Sequence, residues 1–579
     1  MVSNLVHVLL HKRGIRDADD IEKFLKPEYE RDTHDPMLLH DMERAIARIL
    51  SATAEGEKIA IYADFDCDGI PGAALMHDFF TKIDYANVRV YIPHRDREGH
   101  GFHVEAVEML AAEGVSLIIT IDCGVGSIEA TQKAKECGVD VIITDHHEVT
   151  NGLPPAAAVV NPKLGAYPFK DLCGAAVTWK LVQALLREGR KRGLPSFAAI
   201  HEGWEKWLLD LVAISTIADL VPLVGENRVL AHFGLTVLRK SPRKGIRALC
   251  SAARVQQATL TEDDIGFSFA PRINAASRMD EPELAFKLLT TESADEAEAL
   301  AAQLESLNRK RRGAVAAMVR EAKSRVRARY SSADRVVVLG DTEWKPSLCG
   351  LAANSIMEER GGIAIMWGRD ANGKLKGSAR SDGQLSVVEL FARVAEAFEE
   401  YGGHHASGGF TVLHEAVHTL PERLAAAARD LHTSAHEHEA AGADPSREGR
   451  AEADPSRHDR VAVDAELVLR DISIGFFKEL SRLAPFGVGN PKPLFRVRNA
   501  RITFARQFGK EMNHTEVTVV CSETGVSHRA FQFFKTPMDF TLAPSPGTAA
   551  DLLATLEKDS FRGPDRLALR IADIVAPRS

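Results

Sequence analysis

Between Lys58 and Asn161 the apolar positions come in short unbroken runs: IAIYAD ending at Asp64, VRVYIP at 88–93, SLIITID at 116–122 and VDVIITD at 139–145. Short runs of this length, rich in β-branched residues, predict buried parallel strands. Helical stretches follow three of them, near 71–83, 103–113 and 126–137. Strand and helix in alternation predict a parallel sheet covered on both sides. Helical patterns continue over 174–190 and 204–218, and an Ala-, Glu- and Arg-rich stretch at 282–330 predicts a long helical connection. A second α/β block begins with RVVVL at 335–339 and IAIMW at 363–367, and ends around the Gly-rich YGGHHASGGF.

Between 432 and 460 this patterning stops. The segment has no aromatic residue and no leucine, and it carries ADPSR twice, at 443–447 and 453–457. Such a composition buries too little to offset its ordering entropy and reads as a disordered linker. The short β-like runs of 461–579 suit a small barrel such as an OB-fold. The expected organisation is an N-terminal extension (1–49), a parallel-sheet α/β domain (50–281), a connecting helical segment (282–330), a second α/β domain (331–431), the linker (432–460) and the barrel (461–579).

The chain has 579 residues, 45% of them hydrophobic and 26% charged, a composition ordinary for a globular protein of several domains. No apolar run reaches the roughly 18 residues that cross a bilayer. The N-terminus lacks the basic start and small-residue cleavage site of a secretory signal. Seven scattered cysteines with no CxxC pair argue against a disulfide framework and against a zinc ribbon, and they fit a reducing cytoplasm.

The residues that carry chemistry stand where these strands end. ADFDCDG places Asp64, Asp66 and Asp68 directly after the first strand, and alternate residues of an extended segment share a face. The plain alternative is a calcium-type loop or a solvated turn, but no EF-hand spacing follows. Asp122 follows the third strand in LIITIDCGVGS, a position that by itself is usually a turn former. Asp145, His146 and His147 end the next strand in ITDHHE, and Asp219 sits in the apolar ISTIADLVPL, where an unpaired acid would be costly to bury. In open α/β sheets the carboxyl edge is the ligand-binding edge. Carboxylates with imidazole and no thiolate suit Mn²⁺ or Mg²⁺, and the number of acids is enough for two ions in phosphodiester hydrolysis.

These motifs, in this order, resemble the four motifs of the DHH phosphoesterase superfamily, and YGGHHASGG resembles the GGH motif of the associated DHHA1 domain. PRINAASRM (271–279) and LAPFGVGNPKPLF (483–495) narrow the resemblance to the RecJ single-strand-specific 5′–3′ exonucleases. The resemblance implies a DHH domain at 50–281, a DHHA1 domain at 331–431 and a DNA-binding OB-like domain after the linker. It implies metal ligands at Asp64, Asp66, Asp68, Asp122, His146 and Asp219, a phosphate contact at His147, and an orienting carboxylate at Asp145. DNA contacts are expected at Arg95, Arg278, Ser378, Arg380 and His404, with His100, Asn274, Arg309, Arg312 and Gly403 completing the set. The chain departs from the family pattern at WKPSLCG (344–350), where WHPGVIG is common, and at His100 and Ser277, where Tyr and Gly are common.

Local charge contradicts the net charge of −9. Residues 306–329 hold nine Lys or Arg against one acid, and 482–510 hold seven basic side chains, no acid, and Phe486, Phe495, Phe504 and Phe508 among them. A basic track with aromatics suits a long single strand. The expected function is a metal-dependent 5′–3′ exonuclease of single-stranded DNA in repair and recombination, acting beside single-strand-binding protein and a recombination helicase, with no membrane partner. The alternatives are a DHH hydrolase of short oligonucleotides or cyclic dinucleotides, and a non-catalytic replication scaffold.

Overall fold

A computed structural model describes residues 4–149, 152–441, 463–559, 563 and 566–578. The chain forms two compact units. The larger holds residues 34–219 and 234–451, the smaller holds 1–33, 220–233 and 452–579.

The larger unit begins with β1 (Ile59–Ala63), β2 (Val88–Tyr91), β3 (Leu117–Ile121), β4 (Asp140–Thr144) and β5 (Ala158–Val160). They form an all-parallel sheet in the order β2-β1-β3-β4-β5. Alternation across the strands divides their side chains between two layers. Ala60, Tyr62, Ile118, Val141 and Ile143 pack with Ala106, Val107 and Leu110 of helix Val104–Ala112 and with Ala130 and Ala134 of helix Ile128–Glu136. Helices Gly69–Lys82 and Gly174–Lys191 cover the opposite face, so closely that a Cβ on Gly72 would sit 2.6 Å from Ile121 Cγ2. The chain leaves β1 in one direction to reach β2 and returns to the other side for β3. That reversal opens the crevice at the carboxyl ends of β1 and β3.

The helical connection is broken once. Helix Glu283–Thr290 ends, and Ser293 caps a new 36-residue helix, Ala294–Arg329, by accepting from Glu296 N at 3.2 Å. Beyond it, β6 (Val336–Gly340), β7 (Ile363–Arg369), β8 (Leu375–Ser381), β9 (Phe398–Gly403) and β10 (Ser407–Val412) form a sheet in the order β6-β7-β8-β10-β9, parallel only between β6 and β7. The Gly-rich motif is the turn of the β9–β10 hairpin, and helix Leu420–Ala441 follows it, so the block continues beyond the motif. The segment expected to be linker opens as the end of helix Leu420–Ala441, and the remainder of 432–460 lies outside the described residues.

In the smaller unit β11 (Ala465–Val468), β12 (Phe495–Phe508), β13 (His514–Cys521), β14 (Ser527–Gln532), β15 (Ala549–Lys558) and β16 (Leu567–Val575) follow one another. Pairing of β12 with β15 closes β12-β13-β14-β16-β15 into a barrel, as expected for the C-terminal domain. The first 49 residues, read as a single extension, divide between the two units. Val6, Leu9, Leu10 and Phe24 join the barrel core. Helix Met42–Glu55 buries Ile46, Ile49 and Leu50 in the larger unit. Arg228, far from the barrel in sequence, donates to the carbonyls of Phe24 and Leu483, both at 3.0 Å, with its guanidinium over the Phe24 ring.

Candidate active site

All six expected metal-binding side chains meet in the crevice. Asp64 leaves the end of β1 with its backbone N–H bonded to Ile121 O at 3.1 Å, which ties the motif to β3. Asp66 Oδ1 turns back to accept from Asp68 N at 2.8 Å and Gly69 N at 3.3 Å. Gly69 is obligatory here, because a Cβ would fall 2.2 Å from Asp64 O. Asp68 accepts from Gly174 N at 2.6 Å and Ala175 N at 2.9 Å, so the N-terminus of an 18-residue helix faces its charge. Asp122 follows β3 with φ 61, a left-handed backbone that aspartate tolerates better than most residues. Gly174 lies against it, since a Cβ there would sit 2.6 Å from Asp122 Cβ.

Three triplets place ligand-capable atoms within 4.8 Å of one another: Asp64, Asp66 and Asp122; Asp68, His146 and Asp219; and Asp122, His146 and His147. Asp122 and His146 each belong to two triplets, so these groups suit two neighbouring ions rather than one. His146 Nε2 stands 3.2 Å from Asp122 Oδ1, 3.6 Å from Asp68 Oδ2 and 3.7 Å from Asp219 Oδ2. The electrostatics call for cations. Burial, with Asp64 and Asp68 nearby, raises the Asp66 carboxyl, and burial beside Asp68 and Asp66 raises Asp122 well above the carboxylate range. The same burial and neighbours push Asp219 up to about 9. Burial lowers the His146 imidazole. Buried Oδ1 atoms of Asp64 and Asp122 have no hydrogen-bond partner, although His100 Nδ1 stands 3.2 Å from the former. Unpartnered oxygens among carboxylates that resist joint ionisation fit hard divalent cations.

Asp145 is engaged otherwise. It accepts from the backbone of His146 (2.7 Å), His147 (3.1 Å) and Val125 (2.9 Å), and from His147 Nδ1 at 2.7 Å. Burial would raise its carboxyl, but the His147 bond and charge win and hold it below the usual range. Burial likewise opposes the charged form of His147, yet its bond to Asp145 raises it to about 9.

Around this acidic centre, Arg95, Arg278 and Arg380 converge from three stretches of the larger unit. Arg95 lies 4.7 Å over the Phe65 ring, where burial lowers its pKa while Asp64, Asp66 and Asp96 counteract. Burial and the charges of Arg95, Arg311 and Arg380 lower Arg278, and burial with Arg95 lowers Arg380. Guanidiniums crowded until their charges oppose one another form a site for an anion. Ser378 and Arg380 share a neighbour in Gly350, whose Cβ would lie 3.3 Å from Ser378 Oγ and 2.9 Å from the Arg380 guanidinium. Gly403 and His404 form the β9–β10 turn, with His404 N bonded to Ser407 O at 2.7 Å, and Ser407 pairs with Arg380 across β10 and β8. The Asn274 Oδ1 is buried without a partner. Arg309 and Arg312 are exposed on the long helix, and no hydrogen bond or ion pair among the described residues joins them to the acidic centre.

The basic stretch of the barrel is less bare than it reads. Arg496 pairs with Asp551 at 3.3 Å, Arg498 with Glu466 at 3.1 Å, Arg506 with Glu516 at 2.6 Å and Lys492 with Glu557 at 3.6 Å. Phe495 is core, but Phe504 is 45% exposed and Phe534, which the sequence did not single out, is 80% exposed. The local pattern gives no sign of the contacts of Lys345 and Ser347, and its one sign of Gly174 is the glycine that opens the helical stretch at 174–190.

Family models match in the same order as the domains. They are the DHH family N-terminal domain at residues 58–216, the DHHA1 domain at 333–431 and the RecJ OB domain at 463–573. The single-stranded-DNA-specific exonuclease RecJ of Bacillus subtilis is 36% identical over 90% of this chain, which spans 62% of that protein's length. The protein of the same name from Escherichia coli is 31% identical over 72% of this chain and 74% of its own. The crystal structure of RecJ with Mn²⁺ from Thermus thermophilus superposes with a TM-score of 0.75 at 27% identity, covering 100% of this chain and 76% of that one.

Proposed function

The chain belongs to the RecJ family of single-strand-specific exonucleases, and from that premise we propose that it hydrolyses single-stranded DNA from the 5′ end, releasing mononucleotides. The observation that carries this reading is the meeting of two opposed charge fields in one unit. An acidic centre that calls for divalent cations lies beside arginines crowded enough to call for an anion. Asp64, Asp66, Asp68, Asp122, His146 and Asp219 would hold two ions, Mn²⁺ or Mg²⁺, which lower the pKa of water and offset charge on the phosphoryl group. Asp145 fixes His147 through Nδ1, which leaves Nε2 to meet an oxygen of the scissile phosphate. Arg95, Ser378 and Arg380 grip the terminal phosphate, and Arg278 supports them. That grip sets the distance from the 5′ end to the bond that breaks, so each cycle frees one nucleotide. His100, Asn274, Gly403 and His404 line the strand near its end, and Arg309 and Arg312 follow its backbone along the long helix. On the barrel, Phe504 and Phe534 supply exposed rings for stacking bases.

A dinucleotide hydrolase would need neither barrel nor helix track, and a non-catalytic scaffold would have no use for carboxylates this strained. Digestion of a labelled single strand, a duplex and a dinucleotide with Mn²⁺ or Mg²⁺ separates the three. Breakdown of the single strand alone supports the proposal; faster cleavage of the dinucleotide, or no cleavage at all, overturns it. The cellular setting we propose is cytoplasmic repair and recombination. A nuclease confined to single strands depends on a helicase to open the duplex and meets its substrate coated by single-strand-binding protein. Among the described residues no helix is long and apolar enough to cross a membrane.

A further inference from the structure

Asp96 is a difficulty for a phosphate grip at Arg95. It is the next residue in the chain, only 8% exposed, and its charge acts on the Arg95 guanidinium. A buried carboxylate beside that guanidinium competes with the phosphate for it and repels the phosphate directly. The structure answers this charge from the second domain. Lys345 Nζ stands 3.2 Å from Asp96 Oδ2, and Ser347 Oγ is 3.4 Å from the same oxygen. Lys345 also reaches Asp280 Oδ2 at 2.5 Å, two residues past Arg278. Ser347 completes the bridge, with its hydroxyl 3.2 Å from Arg278 O and its carbonyl accepting from the Arg278 guanidinium.

The position of Lys345 joins these contacts to the third arginine. It is the N-cap residue of helix Pro346–Arg360, and Gly350 on that helix forms the floor beneath Arg380 and Ser378. One helix start therefore ties the loop of Arg95 and the end of helix Ala270–Arg278 to the surface that carries Arg380.

We infer that Lys345 is a positioning residue for recognition of the 5′ phosphate: it neutralises Asp96, so that Arg95 is left for the phosphate, and clasps the Arg95 and Arg278 segments to the domain that bears Arg380. This rests on the proposed reading of the arginine cluster as the terminal-phosphate site. It requires that losing the Lys345 charge harms binding of a phosphorylated end more than chemistry, and that removing the Asp96 charge repairs the harm.

The test is steady-state hydrolysis of 5′-phosphorylated and 5′-hydroxyl single strands by the full chain and by Lys345→Met, Lys345→Arg and the double variant Lys345→Met/Asp96→Asn. Lys345→Met should raise KM for the phosphorylated strand by about tenfold, the scale of one lost charge interaction near a binding site, with kcat within about twofold and KM for the hydroxyl strand little changed. Lys345→Arg should stay near the unsubstituted protein, and Asp96→Asn in the Lys345→Met background should recover most of the lost affinity. Equal losses on both strands, or no recovery on adding Asp96→Asn, would overturn the inference and leave Lys345 a packing residue. Failure of the unsubstituted protein to prefer the phosphorylated strand would instead refute the reading of the cluster, and the inference with it. The two failures appear in different proteins and cannot be confused.

Discussion

Gly174→Ala tests the acidic centre with a single methyl group. The residue opens helix Gly174–Lys191, where alanine gains at most about 1 kcal/mol in helix propensity. The methyl would, however, sit 2.6 Å from Asp122 Cβ and 2.8 Å from Asp122 Oδ1, where ordinary contact begins at 3.4 Å. Asp122 or the helix start must yield by roughly 0.8 Å. If the helix yields, Asp68 loses the geometry of its bonds to the Gly174 and Ala175 amides; if Asp122 yields, a carboxylate shared by two triplets moves. A misplacement near 1 Å at a reacting centre costs on the order of 10²-fold in rate. Single-turnover hydrolysis of a 5′-phosphorylated strand across a Mn²⁺ titration should show that loss, with half-saturation at higher Mn²⁺ and a thermal midpoint lowered in keeping with the about 1–3 kcal/mol that overpacking a buried contact costs. Unaltered turnover at the same Mn²⁺ half-saturation would refute the placement of Asp122 and Asp68 as ligands.

Arg380→Ala should lower activity on 5′-phosphorylated strands and largely erase their advantage over 5′-hydroxyl strands; an unchanged preference would remove Arg380 from the phosphate site. Asp145→Asn keeps the shape but weakens the hold on His147 Nδ1, and kcat should fall by roughly 10- to 100-fold, as when a residue orienting a metal-site histidine is lost. Turnover within about twofold would show that this bond does not matter. In the barrel, Glu516 is buried, and although burial raises its carboxyl, Arg506 and Arg529 hold it below the usual range. A depressed folded pKa stabilises above the unfolded value of about 4.3, and that stability is lost as pH falls through the folded value. The thermal midpoint of the protein should therefore drop in acid below about pH 4.5, less steeply for Glu516→Gln; parallel pH profiles for the two proteins would contradict the ion pairs.

Much of the architecture is legible in the sequence because buried parallel strands have no polar alternate. β1, β3 and β4 are plain as apolar runs, and the acids that end them mark the binding edge, whereas the edge strand β2 carries Arg89 and is only half-buried. β5 is only three residues long, set among prolines and asparagine, and offers no periodicity to read. The β9–β10 hairpin resembles a flexible loop because its glycines carry no side-chain pattern. What they supply is room, as at Gly403, where φ is 142 and a Cβ would lie 2.4 Å from Ser407 O. Long-range pairings hide most completely. The basic stretch at 482–510 contains no acid of its own, but strand pairing delivers Asp551 to Arg496 and Glu516 to Arg506. Residues near the N-terminus complete the barrel core because its wall needs Val6, Leu9 and Leu10, which their local sequence does not announce. The candidate centre itself is readable as residues, yet part of its scaffold is tertiary: Gly174 reaches Asp68 and Asp122 from a distant helix, and Lys345 meets Asp96 across the two α/β domains.

The central claim is that this crevice holds the divalent ions that cut single-stranded DNA from its 5′ end. Strands labelled at the 5′ end and, separately, at the 3′ end should be digested by the unsubstituted chain and by Asp122→Ala, with Mn²⁺ or Mg²⁺ and with chelator. Label at the 5′ end should appear as mononucleotide from the first time point, while 3′ label stays in progressively shorter strands. Chelator should abolish release, and Asp122→Ala should reduce it by at least roughly 10²-fold with the fold retained. Release of 3′ label first, or near-normal digestion by Asp122→Ala in the presence of the ions, would contradict the account.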